Sequence, residues 1–258
     1  MLAKKILKKS FSLRKRILDL SLQVSALHVG GSFSSAEIIQ TIFELKKKND
    51  KFILSKGHVG ILLYCILEQK GILKKKDLEN YCKKNGFLGV HPERYINGVE
   101  ASTGSLGHGL GMAAGMSLSK KYKNIFVLCS DGELMEGSLW ESILMISSFK
   151  LNNIVLFIDN NDLQSATKAT DTHPTLYPIK EKFKSFGWDA YNCDGHNPSS
   201  IINNLRKKKQ KPLCIIAKTI KGYPVSFMKN VPMWHYRSPK LNEYNTAINE
   251  INKKIKSL

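Results

Sequence analysis

Acidic side chains are scarce in this sequence: 21 Asp and Glu stand against 40 Lys and Arg, a formal net charge of +19 over 258 residues. Paired cysteines are absent too. Cys65, Cys82, Cys129, Cys193 and Cys214 lie far apart with no C-x-x-C, which argues against a disulfide frame or zinc site and for reduced thiols in a cytoplasmic setting. No apolar run approaches the roughly 20 residues that span a bilayer. The seven histidines include no H-E-x-x-H or close pair, as a zinc hydrolase would need. Glycines 104, 107, 109, 111 and 115 do not give G-x-G-x-x-G, and they precede the first strong strand, against a Rossmann dehydrogenase.

The excess of lysine comes in clumps, "KKK" at 46–48, 74–76 and 207–209. A nucleic-acid-binding protein would set such clumps on one face with aromatics among them. Here they fall at predicted helix ends and loops, so a solvated basic surface that draws anionic small molecules is expected. Nucleic-acid binding is the non-enzyme alternative, and steep salt dependence would mark it.

What the sequence does have is ordinary globular composition, 42% hydrophobic and 24% charged. Helices are predicted over 10–27, 35–47, 58–69 and 76–84, with Ser34 or Ser35 capping the second. A small-residue helix follows from Gly107. Strands at 124–129, 153–158, 188–193 and 213–220 then alternate with helices near 138–149, 179–186 and 199–208. The basic N-terminus runs into this pattern without a break and reads as the first helix of the domain rather than a transit peptide. With no repeat and no linker, the expectation is one α/β domain over 1–258, a parallel sheet flanked by helices with a helical N-terminal portion.

In a protein so poor in acids, "FVLCSDGELMEGSLW" (126–140) gathers three at the end of a buried strand. Ligands of open α/β sheets bind beyond the carboxyl ends of the strands. Asp131 lies past one such end, and Asn160 and Asn161 past the next in "LFIDNNDLQ". A carboxylate and a carboxamide are hard oxygen donors, suited to magnesium or calcium. Gly132 would let an anionic group approach the backbone at a helix start.

This pattern resembles the diphosphate-binding motif of thiamine-diphosphate enzymes, and "SDGELMEGSLWES" resembles transketolases in particular. The resemblance implies a thiamine-diphosphate-binding fold of the diphosphate-binding type, with thiamine diphosphate and Mg2+ as cofactors and Ca2+ as a substitute. It makes Asp131, Asn161 and the carbonyl of Leu163 the metal ligands, with Gly132 and Glu133 in the cofactor-facing turn. "SALHVGGSFS" gives His28, "KFILSKGHVGILLY" gives the cofactor-side His58, and "LGVHPERYINGVEASTGSLGHGLGMAAG" gives His91 with Gly104, Ser105 and Leu106. "IIAKTIKGYPVSFMKNVPMWHYRSP" gives His235. Together these imply transfer of a two-carbon ketol unit from a ketose phosphate to an aldose. His28, His91 and His235 handle protons, and His235 or His28 is the general base. His173 and His196 read as ordinary surface or core histidines. Glu136 has two readings, a link between paired sites or a cap of the following helix. Glu133 and Glu141 also read as cap or surface residues.

The sequence departs from the family in places: Leu27 for the usual glycine before the first histidine, "SDG" for "GDG", and Tyr236 for glycine after His235. "NDLQSATKAT" also lacks the Asp-Gly commonly seen after the metal-binding asparagine. A pyrimidine-binding domain, which supplies the glutamate that activates the cofactor, does not fit before Leu258. It and the C-terminal domain are therefore expected on a separate chain, with this chain inactive alone and a heterotetramer as the simplest assembly. An unusual sugar as substrate, or another thiamine-diphosphate enzyme, are the remaining enzymatic alternatives.

Overall fold

In the computed structural model, which describes residues 1–165, 167–207 and 210–258, the alternating pattern closes into one five-stranded parallel sheet. Helices α1 (Leu2–Ser21), α2 (Val29–Ser34) and α3 (Ala36–Leu45) precede strand β1 (Lys51–Leu54). Then come α4 (Gly60–Gln69), the short α5 (Lys75–Glu79) and α6 (Gly109–Leu118). Strands β2 (Ile125–Ser130) and β3 (Ile154–Asn160) flank α7 (Gly137–Ser148). A small antiparallel hairpin of β4 (Leu163–Gln164) and β5 (Thr167–Lys168) leads to α8 (Ala169–Thr172) and α9 (Ile179–Ser185). Strands β6 (Asp189–Asp194) and β7 (Leu213–Lys218) flank α10 (Pro198–Leu205), and α11 (Leu241–Lys256) ends the chain. The sheet order is β1-β2-β3-β7-β6.

The strands β2, β3 and β7 are continuous apolar runs because both faces of the sheet are covered. Successive side chains alternate between two cores. Phe126, Leu128, Val155, Phe157 and Ile215 pack with residues of α1, α3 and α4. Val127, Cys129, Leu156, Ile158 and Ile216 pack with residues of α6, α7 and α9. The five cysteines are free thiols. Among the described residues no helix is long and apolar enough to cross a membrane.

Several expected boundaries shift. The first helix starts at Leu2 and stops at Ser21, not Leu27, because Leu27 must leave the helix to accept the amide of Arg237 (3.1 Å). Strand β1 pairs with β2 in a stretch too short to announce itself. Ser35 occupies the N-cap position of α3 without capping it; it and Ser34 instead donate to Asp159 Oδ2 at 2.8 and 2.6 Å. The predicted helix reaching Lys208 ends at Leu205 in the described chain; Lys208 and Lys209 of the last lysine clump lie outside the described residues. Elsewhere lysines are partly neutralised: Lys5, Lys9 and Lys70 converge on Glu44.

Candidate active site

The parallel register places Ser130 beside Asp159, so the turns after β2 and β3 lie side by side. Asp131 is fully buried there. Its Oδ1 accepts from the Gly132 amide (2.9 Å), and Oδ2 accepts from the amides of Asn161 (2.9 Å) and Asp162 (2.6 Å). Asn161 Oδ1 accepts from the Leu163 amide at 3.1 Å. One carboxylate thus shapes both turns. Burial, and then the nearby Asp159 charge, push its carboxyl up to about 7 against these hydrogen bonds. A divalent cation would favour the charged form. The Asp131 carboxylate, the Asn161 carboxamide oxygen and the Leu163 carbonyl are oxygen donors of the kind a hard cation such as Mg2+ takes. No group of three His, Cys, Asp or Glu able to hold a metal occurs among the described residues.

Beside these turns lies a cavity of about 220 Å³. Gly132, Asn161 and Leu163 form one wall, Gly104 and Leu106 another, and His58 and His235 line it as well. His28 stands behind them, its ring 5.2 Å from that of His58 and 5.1 Å from that of His235. Tyr236 covers the His28 ring at 4.6 Å. His91 is exposed and lies against Gly104, where an added Cβ would meet its ring at 3.0 Å. Ser105 is exposed beside that loop and does not line the cavity.

Of these imidazoles, His28, His58 and His235 are held neutral near pH 7. Burial, then the neighbouring His235 and His91, lower His28 from 6.5 to about 3. Burial and then Lys221 lower His235 to about 4, and burial with Lys56 pushes His58 well down. His28 Nδ1 is buried without a hydrogen-bond partner.

Glu133 is neither cap nor surface residue. It is fully buried and accepts from Ser55 Oγ (2.6 Å) and from the amides of Ser130 (2.9 Å) and Gly107 (3.1 Å). It therefore ties the glycine loop to the end of β2 from behind the cavity rather than facing it. Glu136 sits at the N-cap of α7 and makes no capping hydrogen bond; Glu141 is exposed.

Two lysines escaped the motifs. Lys56 is buried and donates to Asp159 Oδ2 (2.5 Å), Ser35 Oγ (2.9 Å) and the Gly31 carbonyl (3.2 Å). Lys221 reaches the Leu163 carbonyl (3.3 Å) and His235 Nδ1 (3.1 Å). Burial, then Lys56, lower it to about 8. A charged residue next to a buried strand end, as in "FILSK" and "LFID", is the signal that could have revealed Lys56 and Asp159.

The fold is thus an α/β domain whose parallel sheet gathers oxygen donors, glycines and buried lysines at its strand ends. The chain belongs to the transketolase family: residues 14–243 match the family's thiamine diphosphate binding domain. It is 32% identical to an apulose-4-phosphate transketolase subunit from Phocaeicola vulgatus, over 95% of this chain and 93% of that one. The corresponding apulose-4-phosphate transketolase subunit from Actinobacillus succinogenes is 34% identical, over 95% of each. The transketolase crystal structure from Campylobacter jejuni superposes with a TM-score of 0.89 at 26% identity. That match covers 96% of this chain but 43% of the larger protein.

Proposed function

We propose that this chain is the diphosphate-binding subunit of a two-chain transketolase, transferring a two-carbon ketol unit from a ketose phosphate to an aldose. One observation carries the reading: the Asp131–Asn161 turns and the histidines His58 and His235 meet at a single cavity. Asp131, Asn161 and the Leu163 carbonyl would hold Mg2+, or Ca2+ in its place. Gly104, Leu106, Gly132 and His58 would surround the cofactor, with Ser105 at the loop's outer edge. Glu133 supports this wall from behind. Thiamine diphosphate, when bound, supplies the electron sink for the two-carbon fragment.

The chain's own residues then orient the sugar and move protons. His235 Nδ1 accepts from the Lys221 ammonium, so its proton sits on Nε2, a donor for a substrate hydroxyl or developing alkoxide. His28 presents a second neutral imidazole, and His91 reaches the sugar from the outer rim. General-base work falls to His28 or His235.

The near full-length match to two proteins that are each named as one subunit of a transketolase supports a partner subunit; in this proposal that partner is C-terminal, carries the pyrimidine-binding domain and joins this chain in a cytoplasmic heterotetramer. It also makes apulose 4-phosphate, for which those relatives are named, the first sugar to test. The test is two-carbon transfer assayed with thiamine diphosphate and Mg2+, on this chain alone and mixed with its C-terminal partner. Turnover is expected only in the mixture. Turnover by the chain alone, or none with the partner present, would overturn the proposal.

A further inference from the structure

The segment that carries Lys221 is gripped from below by a buried polar cluster that the chemistry above does not use. Arg14 and Glu37 are both fully buried. The guanidinium donates to both carboxylate oxygens, Nη1 to Oε1 at 2.5 Å and Nη2 to Oε2 at 2.6 Å. Burial by itself would raise the Glu37 carboxyl, but the Arg14 charge overrides it and holds it at about 2. Glu37 Oε2 also meets His196 Nδ1 at 3.0 Å, and His196 Nε2 accepts the Ile220 amide at 2.9 Å. An imidazole nitrogen that accepts carries no proton, so His196 is protonated at Nδ1 and donates to Glu37. The tautomer is thereby fixed.

The same cluster reaches the other side of Lys221. Arg14 Nε donates to the Tyr223 carbonyl at 2.9 Å, and the Tyr223 ring stacks on His196 with centroids 4.1 Å apart. Between these anchors the Gly222 amide donates to the Gly30 carbonyl at 3.1 Å. Backbone groups one residue before and two residues after Lys221 are therefore both tied to one ion-paired cluster. A lysine side chain has a flexible four-carbon stem, and its reach is reproducible only if its backbone is fixed.

We propose that Arg14, Glu37 and His196 form a positioning triad for Lys221. Anchoring the Ile220 amide and the Tyr223 carbonyl, they hold its ammonium between the Leu163 carbonyl and His235. Of the three, His196 is the adjustable member, because it alone joins the ion pair to the amide next to Lys221. The consequence for ligand affinity rests on the thiamine-diphosphate reading; the backbone clamp does not.

Two substitutions separate the bonds of His196. His196→Asn keeps a donor near the Nδ1 position and removes the acceptor for Ile220. His196→Gln places an amide oxygen near the Nε2 position and restores that acceptor. Amide hydrogen exchange is followed over 219–224, together with affinity for Mg2+–thiamine diphosphate in the presence of the partner subunit. Losing one hydrogen bond predicts about tenfold faster exchange at Ile220 and about tenfold weaker binding for His196→Asn. Exchange in α1 and α3 should stay unchanged, and His196→Gln, which regains the Ile220 acceptor without the donor to Glu37, should recover part of both losses. In the Lys221→Met background, His196→Asn should weaken binding no further.

Unchanged exchange at Ile220 in His196→Asn overturns the clamp, as does equal loss of protection throughout α1 and α3. Faster exchange with unaltered affinity overturns the link to Lys221. A wild-type pair that shows the clamp but binds no cofactor overturns the cofactor reading and leaves the clamp standing.

Discussion

Replacing Asp159 with asparagine removes the carboxylate that is ion-paired with Lys56 at the cavity wall. Both side chains are buried, at 1% and 0% exposure. Breaking a buried pair by removing one partner costs about 3–5 kcal/mol, because the remaining charge is left uncompensated. The asparagine oxygen can still accept from Ser34 or Ser35, which places Asp159→Asn near the lower end, about 3 kcal/mol. At this chain length that lowers Tm by roughly 6–12 °C. Removing both charges together, Lys56→Met with Asp159→Leu, should be milder. Ser34 and Ser35 keep the Gly31 carbonyl as acceptor, and only Thr219, which donates to Asp159 Oδ1, loses its hydroxyl partner. One orphaned hydroxyl costs about 1–3 kcal/mol. Thermal and urea unfolding of the two variants, beside the wild type, decide the matter. A single variant within about 1 kcal/mol of wild type, or a double variant worse than the single, would refute the charge-compensation reasoning.

Three other outcomes follow from the same geometry. The folded pKa of His28, about 3, lies below its ordinary 6.5, so its stabilising share is full above pH 6.5 and drains away as pH falls toward 3. His28→Phe should flatten the Tm-versus-pH curve in that window, and an unchanged slope would contradict the assignment. Gly107 has φ +82°, and an added Cβ would lie 2.7 Å from the Glu136 Cβ. Gly107→Ala should therefore destabilise by at least about 1–2 kcal/mol in thermal unfolding, and a neutral result would show that the loop can give way. In the two-chain assay, Tyr236→Gly uncovers the His28 ring and should lower KM for the ketose phosphate. An unaltered KM would show that Tyr236 does not limit the approach to His28.

Much of the sheet was legible because β2, β3 and β7 are short apolar runs spaced by helices, the mark of strands buried on both faces. Strand β1 was not, since Lys51–Leu54 is four residues long and abuts the helix-like "GHVGILLY". Asp131 and Asn161 stand out in the sequence because each directly follows the end of a strand, β2 or β3, where local sequence carries the signal, whereas Leu163 is implied by the family resemblance. Glu133 was misjudged because its partners Ser55 and Gly107 lie 78 and 26 residues away. The Lys56–Asp159 pair joins residues 103 apart, and the Glu37–His196 contact residues 159 apart. Such pairings are created by the fold, and no spacing rule announces them.

The central claim is that Asp131 helps hold a metal-bound diphosphate in the cavity. Calorimetric titration of thiamine diphosphate with Mg2+ into this chain and its C-terminal partner tests it most directly. Metal-dependent binding to the wild-type pair is expected, and Asp131→Ala should abolish it while the fold, checked by circular dichroism, persists. Binding that survives Asp131→Ala, or that is absent from a correctly assembled wild-type pair, would contradict the claim.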